Sequence, residues 1–231
     1  MNKRSVFVGA SVLTFGAVLS KMFGGIYRLA LTGILGSEGI GIYQLVFPVF
    51  SLLLVVSTSG IPLAVSKLIA GCNASNDINC KKKILKSSML ILGIISLLFA
   101  LILTFLSEHI AALQGNIEMS TLYIILAPSL VFVSITAVLR GYFQGENLFA
   151  PTAINQIVEQ LSKVLIGIVA SLILIKKSLM HGIMGAIVAI TISEIVAFLF
   201  MLFTYFKHKK DKTTEKAKID KEILKAIFNT A

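Results

Sequence analysis

Two fixed positive charges stand on one apolar stretch near the start of the chain. The stretch is SKMFGGIYRLALTGILG, residues 20–36, and it carries Lys21 and Arg28 with Gly24 and Gly25 between them. Guanidinium and ammonium groups hold anions, and Arg holds a phosphate or carboxylate through two parallel hydrogen bonds. Seven residues is nearly two turns of helix, so Lys21, the glycines and Arg28 share a side. A face with charge but almost no bulk suits the wall of a cavity that admits an anionic group. It suits close helix–helix contact as well, because paired small residues let backbones approach. The charges beside the glycines favour the cavity.

Other polar groups repeat the pattern further along. PTAINQIVEQLSK places Asn155, Gln156, Glu159, Gln160 and Lys163 in a stripe at i, i+4 spacing. Glu159 precedes Lys163 by four residues, the favourable order for a helical ion pair. This stripe reads either as a self-neutralised pair with amides joining helices or as a polar vestibule. Glu194 stands alone in the last apolar block. Such charges are costly in lipid and belong on the inside of a bundle or beside water. IYQLVFPVFSLLLVVSTSGIPLAVSKL adds Pro48, Gly60 and Pro62 to a single block. Each proline removes a backbone donor, hydroxyls nearby can satisfy the freed carbonyls, and broken helices beside buried charge are how transporters build moving gates.

The elements that must position these groups follow from composition. Of 231 residues 56% are hydrophobic and only 14% charged, and the mean hydropathy is +0.91; soluble domains carry more charge. The apolar residues come in blocks long enough to cross a hydrocarbon core, which takes about 20 residues of helix. Six qualify: 6–35, 42–69, 88–106, 122–139, 152–175 and 183–206. The first is too long for a cleaved signal peptide and has no small-residue cleavage site after it. The absence of long strand alternation argues against a β-barrel. The expected fold is therefore an all-α polytopic membrane protein of six transmembrane helices over 1–206, followed by a basic linker at 207–231.

With the N-terminus inside, the inner segments hold Lys3, Arg4, Lys67, Lys81, Lys82, Lys83, Lys86, Arg140 and the lysine-rich tail, while the outer ones hold only Lys176 and Lys177. This asymmetry predicts both termini in the cytoplasm. It also accounts for the formal net charge of +10: the excess sits beside spans, where it meets anionic lipid head groups, and nucleic acid is not an expected partner. At the helical rise, Lys21 then lies about 22 Å and Arg28 about 33 Å from the cytoplasmic end, with Glu194 about 18 Å deep. Lys21 and Glu194 are placed to meet near the midplane. Arg28 is deep enough either to face a cavity or to reach the outer head groups.

Cys72 and Cys80 share one predicted cytoplasmic loop, where a reducing compartment favours two free thiols. His109, His181 and His208 fall in predicted loops or the tail without partners. No nucleotide loop, metal-ligand cluster or nucleophile elbow is present, so neither a cofactor nor enzymatic chemistry is expected.

Residues 24–70, GGIYRLALTGILGSEGIGIYQLVFPVFSLLLVVSTSGIPLAVSKLIA, resemble the first two helices of the stage V sporulation protein B family. A second matching block is SITAVLRGYFQGENLFAPTAINQIVEQLSKV. That family of polysaccharide-biosynthesis proteins belongs to the multidrug/oligosaccharidyl-lipid/polysaccharide exporter superfamily. The resemblance implies flipping of undecaprenyl-linked sugar intermediates, peptidoglycan precursor among them, across the bacterial cytoplasmic membrane. The chain is also similar to lipid II flippases, which carry an adjacent Arg-Asp pair where this chain has Tyr27 and Arg28, so the acidic partner is absent at that point. Arg28 and Lys21 are then the expected diphosphate contacts, Glu194 neutralises Lys21 when no substrate is bound, and Tyr43 and Gln44 add hydrogen bonds to sugar.

Related exporters are implied to have two six-helix lobes with the substrate path between them. This chain is expected to supply one lobe, with a seventh helix beginning near its end, and to need a C-terminal lobe or a second copy. Two rival functions stand: a cation-coupled drug or metabolite exporter with Glu194 or Glu159 as the ion site, and a non-transporting scaffold.

Overall fold

The computed structural model describes residues 3–58, 60–75 and 77–208. Every element of regular structure in them is helical. They are α1 (Lys3–Thr58), α2 (Ile61–Ala74), α3 (Ile78–Leu113), a 3-10 turn at Ile117–Met119, α4 (Ser120–Gly145), α5 (Ala150–Leu174) and α6 (Leu179–His208). The expected all-α membrane fold is what is found. Five runs of helix are long and apolar enough to cross a membrane.

The first of those runs spans 64 residues, Ser11–Ala74. Straight, it would be about three times as long as the ~30 Å hydrocarbon core is thick. It is divided at Gly36, whose φ of 69° and ψ of −176° are non-helical. Glycine takes this conformation without a Cβ penalty. The chain folds back there: Tyr27 and Tyr43, at similar distances before and after Gly36, bring their hydroxyls together. So α1 supplies two of the six expected passes.

The second expected helix, 42–69, is in fact two. Gly60 stands at φ 73° ahead of α2, and Pro62 lies in the first turn of α2, where a missing N–H costs nothing. Pro48 does not break α1; Ser51 Oγ donates to its carbonyl at 3.1 Å.

Two other expected boundaries move outward. α3 starts at Ile78, capped by Asp77, whose side chain accepts from Cys80 N. Lys81, Lys82, Lys83 and Lys86 therefore ride on helix, not in a loop. Lysine has good helix propensity and carries its charge on a long apolar stem, so hydropathy stops before the helix does. For the same reason α4 runs through Arg140 to Gly145, and that arginine is inside the bundle's framework. The free-thiol expectation is also corrected: Cys72 and Cys80 form a disulfide, with Cα atoms 5.9 Å apart. The tight turn between α2 and the Asp77 cap brings them together. At this end Asn73 Nδ2 donates to Gly145 O at 2.9 Å and Lys81 pairs with Glu146 at 2.9 Å, tying the α2–α3 turn to the α4–α5 turn.

The core has two parts. Near the Gly36 reversal, Leu31 and Val46 of α1 pack with Leu103, Leu122, Leu126, Leu130 and Ile187. Toward the disulfide, Val65, Ile69, Leu85, Leu92, Leu139, Phe143 and Met201 form the second. α4 lies directly on α2 because it offers glycine there: a Cβ on Gly141 would meet the carbonyl of Pro62 at 2.6 Å. Outside, Leu97, Leu101 and Phe105 of α3 are exposed, as a lipid-facing surface requires. Beyond His208, the tail and the start of a seventh helix lie outside the described residues.

Candidate functional site

The first arm of α1 runs beside α5 in the same direction. Gly16 abuts Ala153, Gly24 faces Gln160, and Tyr27 fills the space left by Gly167. A Cβ on Gly167 would overlap the Tyr27 hydroxyl. That hydroxyl donates to the Ala186 carbonyl on α6 at 3.3 Å. Tyr27 is thus pinned against two helices, and the adjacent Arg28 projects elsewhere.

Arg28 lines a cavity of about 620 Å³ with Gly24, Tyr27, Ile40, Tyr43, Gln44, Phe47, Pro48, Ser51 and Lys163. The size is that of small-ligand pockets, ~300–1,000 Å³. Nine of these ten residues belong to α1; Lys163 is on α5. The Gly36 reversal builds the site by setting the two arms of α1 face to face. Tyr27, Ile40 and Tyr43 are buried, whereas Arg28, Gln44, Pro48 and Ser51 are exposed, so the cavity is open along one side. Two cations, an amide, two hydroxyl-bearing types and an aromatic floor are chemistry for an anionic group attached to something polar.

The structure brings Arg28, Tyr43, Gln44, Lys163 and Pro48 to one cavity. Lys21 is not in it. It sits a turn before Gly24, exposed, because the cavity begins only at Gly24. The expected Lys21–Glu194 pair is also absent among the described residues. Glu194 instead lies in the field of Glu159, Arg140 and Lys163, because α5 and α4, not α1, carry the charges nearest to it.

The polar stripe on α5 proves to be two stripes. Asn155 and Glu159 turn toward α4 and α6. Arg140 Nε donates to Asn155 Oδ1 at 2.8 Å, Arg140 Nη2 donates to Glu159 Oε2 at 2.6 Å, and Asn155 Nδ2 donates to the Ala197 carbonyl at 2.7 Å. Gln160 turns toward Gly24 of α1, Gln156 lies one turn before it on the same face, and Lys163 reaches the cavity. The side-chain oxygens of Ser20, Gln156 and Gln160 are buried without a partner among the described residues. Of the two readings of the stripe, the self-neutralised Glu159–Lys163 pair is not formed among the described residues; Glu159 pairs with Arg140. Sequence reasoning missed Arg140 by placing it in a loop. The available signal was symmetry: Arg140 and Asn155 stand equally far from the turn at 147–148 and so meet when α4 and α5 fold together.

Gly60 and Pro62 lie away from the cavity, at the junction of α1 and α2. Among the described residues no three His, Cys, Asp or Glu side chains gather in a metal-ligating group.

Comparison with known proteins places this arrangement. The profile of the family described as "polysaccharide biosynthesis protein" matches residues 6–230. The chain is 32% identical to stage V sporulation protein B of Bacillus subtilis, covering 99% of this chain and 43% of that protein. It is 28% identical to the lipid II flippase MurJ of the same organism, over 87% of this chain and 39% of that one. The chain thus spans about two fifths of the length of these relatives. Among solved structures it is similar in fold to MATE in the straight conformation, with TM-score 0.79 at 18% identity over 99% of this chain and 51% of that one. It is likewise similar to a MOP superfamily transporter from Pyrococcus furiosus, with TM-score 0.75 at 18% identity over 96% and 50%.

Proposed function

The chain belongs to the polysaccharide biosynthesis protein family, and from that premise we propose that it forms one lobe of a flippase for lipid-linked sugar diphosphates. The observation that carries the reading is the cavity itself, where Arg28 and Lys163 stand with Gln44, Tyr43 and Ser51 on an apolar floor. An undecaprenyl-linked intermediate has a diphosphate for the cations, a sugar for the amide and hydroxyls, and a tail that stays in lipid beside the open edge. The named activity of the relative MurJ, lipid II flipping, supports the same class. Two cations on the wall disfavour a cationic drug as cargo.

The exposed side of the cavity needs a wall, and rocking one bundle against another is how such folds alternate access. The partner in this reading is a second helical lobe, or a second copy of this chain. The lysine-bearing start of α3 and both termini face the cytoplasm of a bacterial cell, where anionic lipid meets them and the Cys72–Cys80 bond is open to a reducing thiol pool. Spore cortex or other cell-wall synthesis is the proposed setting.

Purified chain is expected to be stabilised against thermal unfolding by an undecaprenyl-diphosphate sugar. At a hundredfold excess over Kd the gain is about 2.7 kcal/mol. Stabilisation by a cationic dye instead would favour a drug exporter, and stabilisation by neither would favour a scaffold.

A further inference from the structure

We propose that Lys163 is the second cation of the cavity, gripping with Arg28 the two phosphates of a diphosphate, and that Arg140 keeps it available by occupying Glu159. The inference rests on the reading of the cavity as an anion site and deepens it.

Lys163 is the one lining residue contributed by α5, so the two cations approach a ligand from different helices. A single guanidinium matches one phosphate through its planar fork; a lysine is a point charge that suits a second, neighbouring phosphate. Position alone does not make Lys163 a ligand. Glu159 lies four residues before it, and on an isolated helix the two would pair. Here Glu159 Oε2 takes a hydrogen bond from Arg140 Nη2 at 2.6 Å. The same guanidinium binds Asn155, one turn earlier, through Nε at 2.8 Å. Asn155 is in turn fixed to the Ala197 carbonyl. Two acceptors on α5 thus hold one rigid fork from α4, and the fork holds the carboxylate on the inner face. Lys163 makes no ion pair among the described residues. Glu194 lies within electrostatic reach of Lys163, along with Arg140 and Glu159, and makes no ion pair with the lysine among the described residues.

The account separates Lys163 from Arg28 by ligand charge. The test uses the full chain in nanodiscs, with undecaprenyl diphosphate and undecaprenyl monophosphate as probes. Wild type is expected to favour the diphosphate by about tenfold, the value of one charge-assisted contact. Lys163→Gln is expected to remove that preference, lowering diphosphate affinity far more than monophosphate affinity, and Lys163→Arg to retain it. Arg140→Gln is expected to remove the preference too, since Glu159 then turns to Lys163. Arg140→Gln with Glu159→Gln should restore it, an outcome that a general loss of folding does not give. In a Lys163→Gln background, Arg140→Gln should have no further effect on the ratio.

A preference that survives Lys163→Gln overturns the proposal while leaving Arg28 as an anion contact. A preference unchanged by Arg140→Gln overturns the role of Arg140. Failure of the wild type to bind either lipid more tightly than Arg28→Ala overturns the reading of the cavity on which the inference stands.

Discussion

Replacing Arg28 with Ala is expected to abolish transport in cells that depend on this protein, with the protein still present in the membrane. Arg28 lines the cavity and is exposed within it, so its removal opens no void in the core. What is lost, in the proposed function, is the bidentate grip on phosphate. Each hydrogen bond to a charged group contributes about 1.5–3 kcal/mol, so a pair is worth at least a hundredfold in affinity. Arg28→Lys should retain partial function, because charge remains and the planar fork does not. A silent Arg28→Ala would mean that the side chain only reaches for head groups. Loss of the protein from the membrane would mean that the charge is structural.

The largest expected effect on stability is at Arg140. Its guanidinium bridges Asn155 and Glu159, with the Arg140 and Glu159 side chains only 21% and 16% exposed. Arg140→Ala leaves a carboxylate and a buried amide oxygen without their donor. Leaving half-buried acceptors without their donor costs about 1–3 kcal/mol. Unfolding in detergent should show this loss, and Arg140→Ala combined with Glu159→Gln should recover part of it, because the stranded charge is gone. Equal stability of Arg140→Ala and the parent would mean that the pair is solvated and adds little.

The division between what the sequence makes legible and what it hides is physical. Span content is legible because burial in lipid demands long apolar runs: five of the six expected blocks fall on a single helix to within a residue, whereas 42–69 is divided at Gly60 between α1 and α2. The conformational role of Gly60 is legible as well, since a glycine followed by Ile61 and Pro62 invites a helix start. Helix ends are less so. Lysines mark where apolarity stops, but α3 continues through Lys81 to Lys86 because their stems are helix-compatible.

The site was half legible. Arg28 could be picked out because charge is costly in a span, and Tyr43 and Gln44 through the family resemblance; all three line the cavity. Which charges meet could not be read. A stripe at i and i+4 reports one helix's geometry, whereas Glu159 answers to Arg140 on another helix. Likewise Lys21 shares a side with Arg28 but falls below the cavity floor set by Gly24, and Glu194 answers to α5 and α4. For Cys72 and Cys80 the compartment argues for free thiols, whereas the turn geometry that joins them lies in the Asp77 cap.

The central claim is that a lipid-linked sugar diphosphate occupies the cavity between the two arms of α1. A photoreactive side chain placed at Gln44, on the cavity wall, tests it in native membranes, with Phe105 on the exposed face of α3 as the reference position. The account predicts that the Gln44 probe captures undecaprenyl-diphosphate sugar, that the Phe105 probe captures only bulk phospholipid, and that Arg28→Ala abolishes the capture at Gln44. Equal capture of the lipid-linked sugar at both positions, or capture at Gln44 that is indifferent to Arg28→Ala, would contradict it.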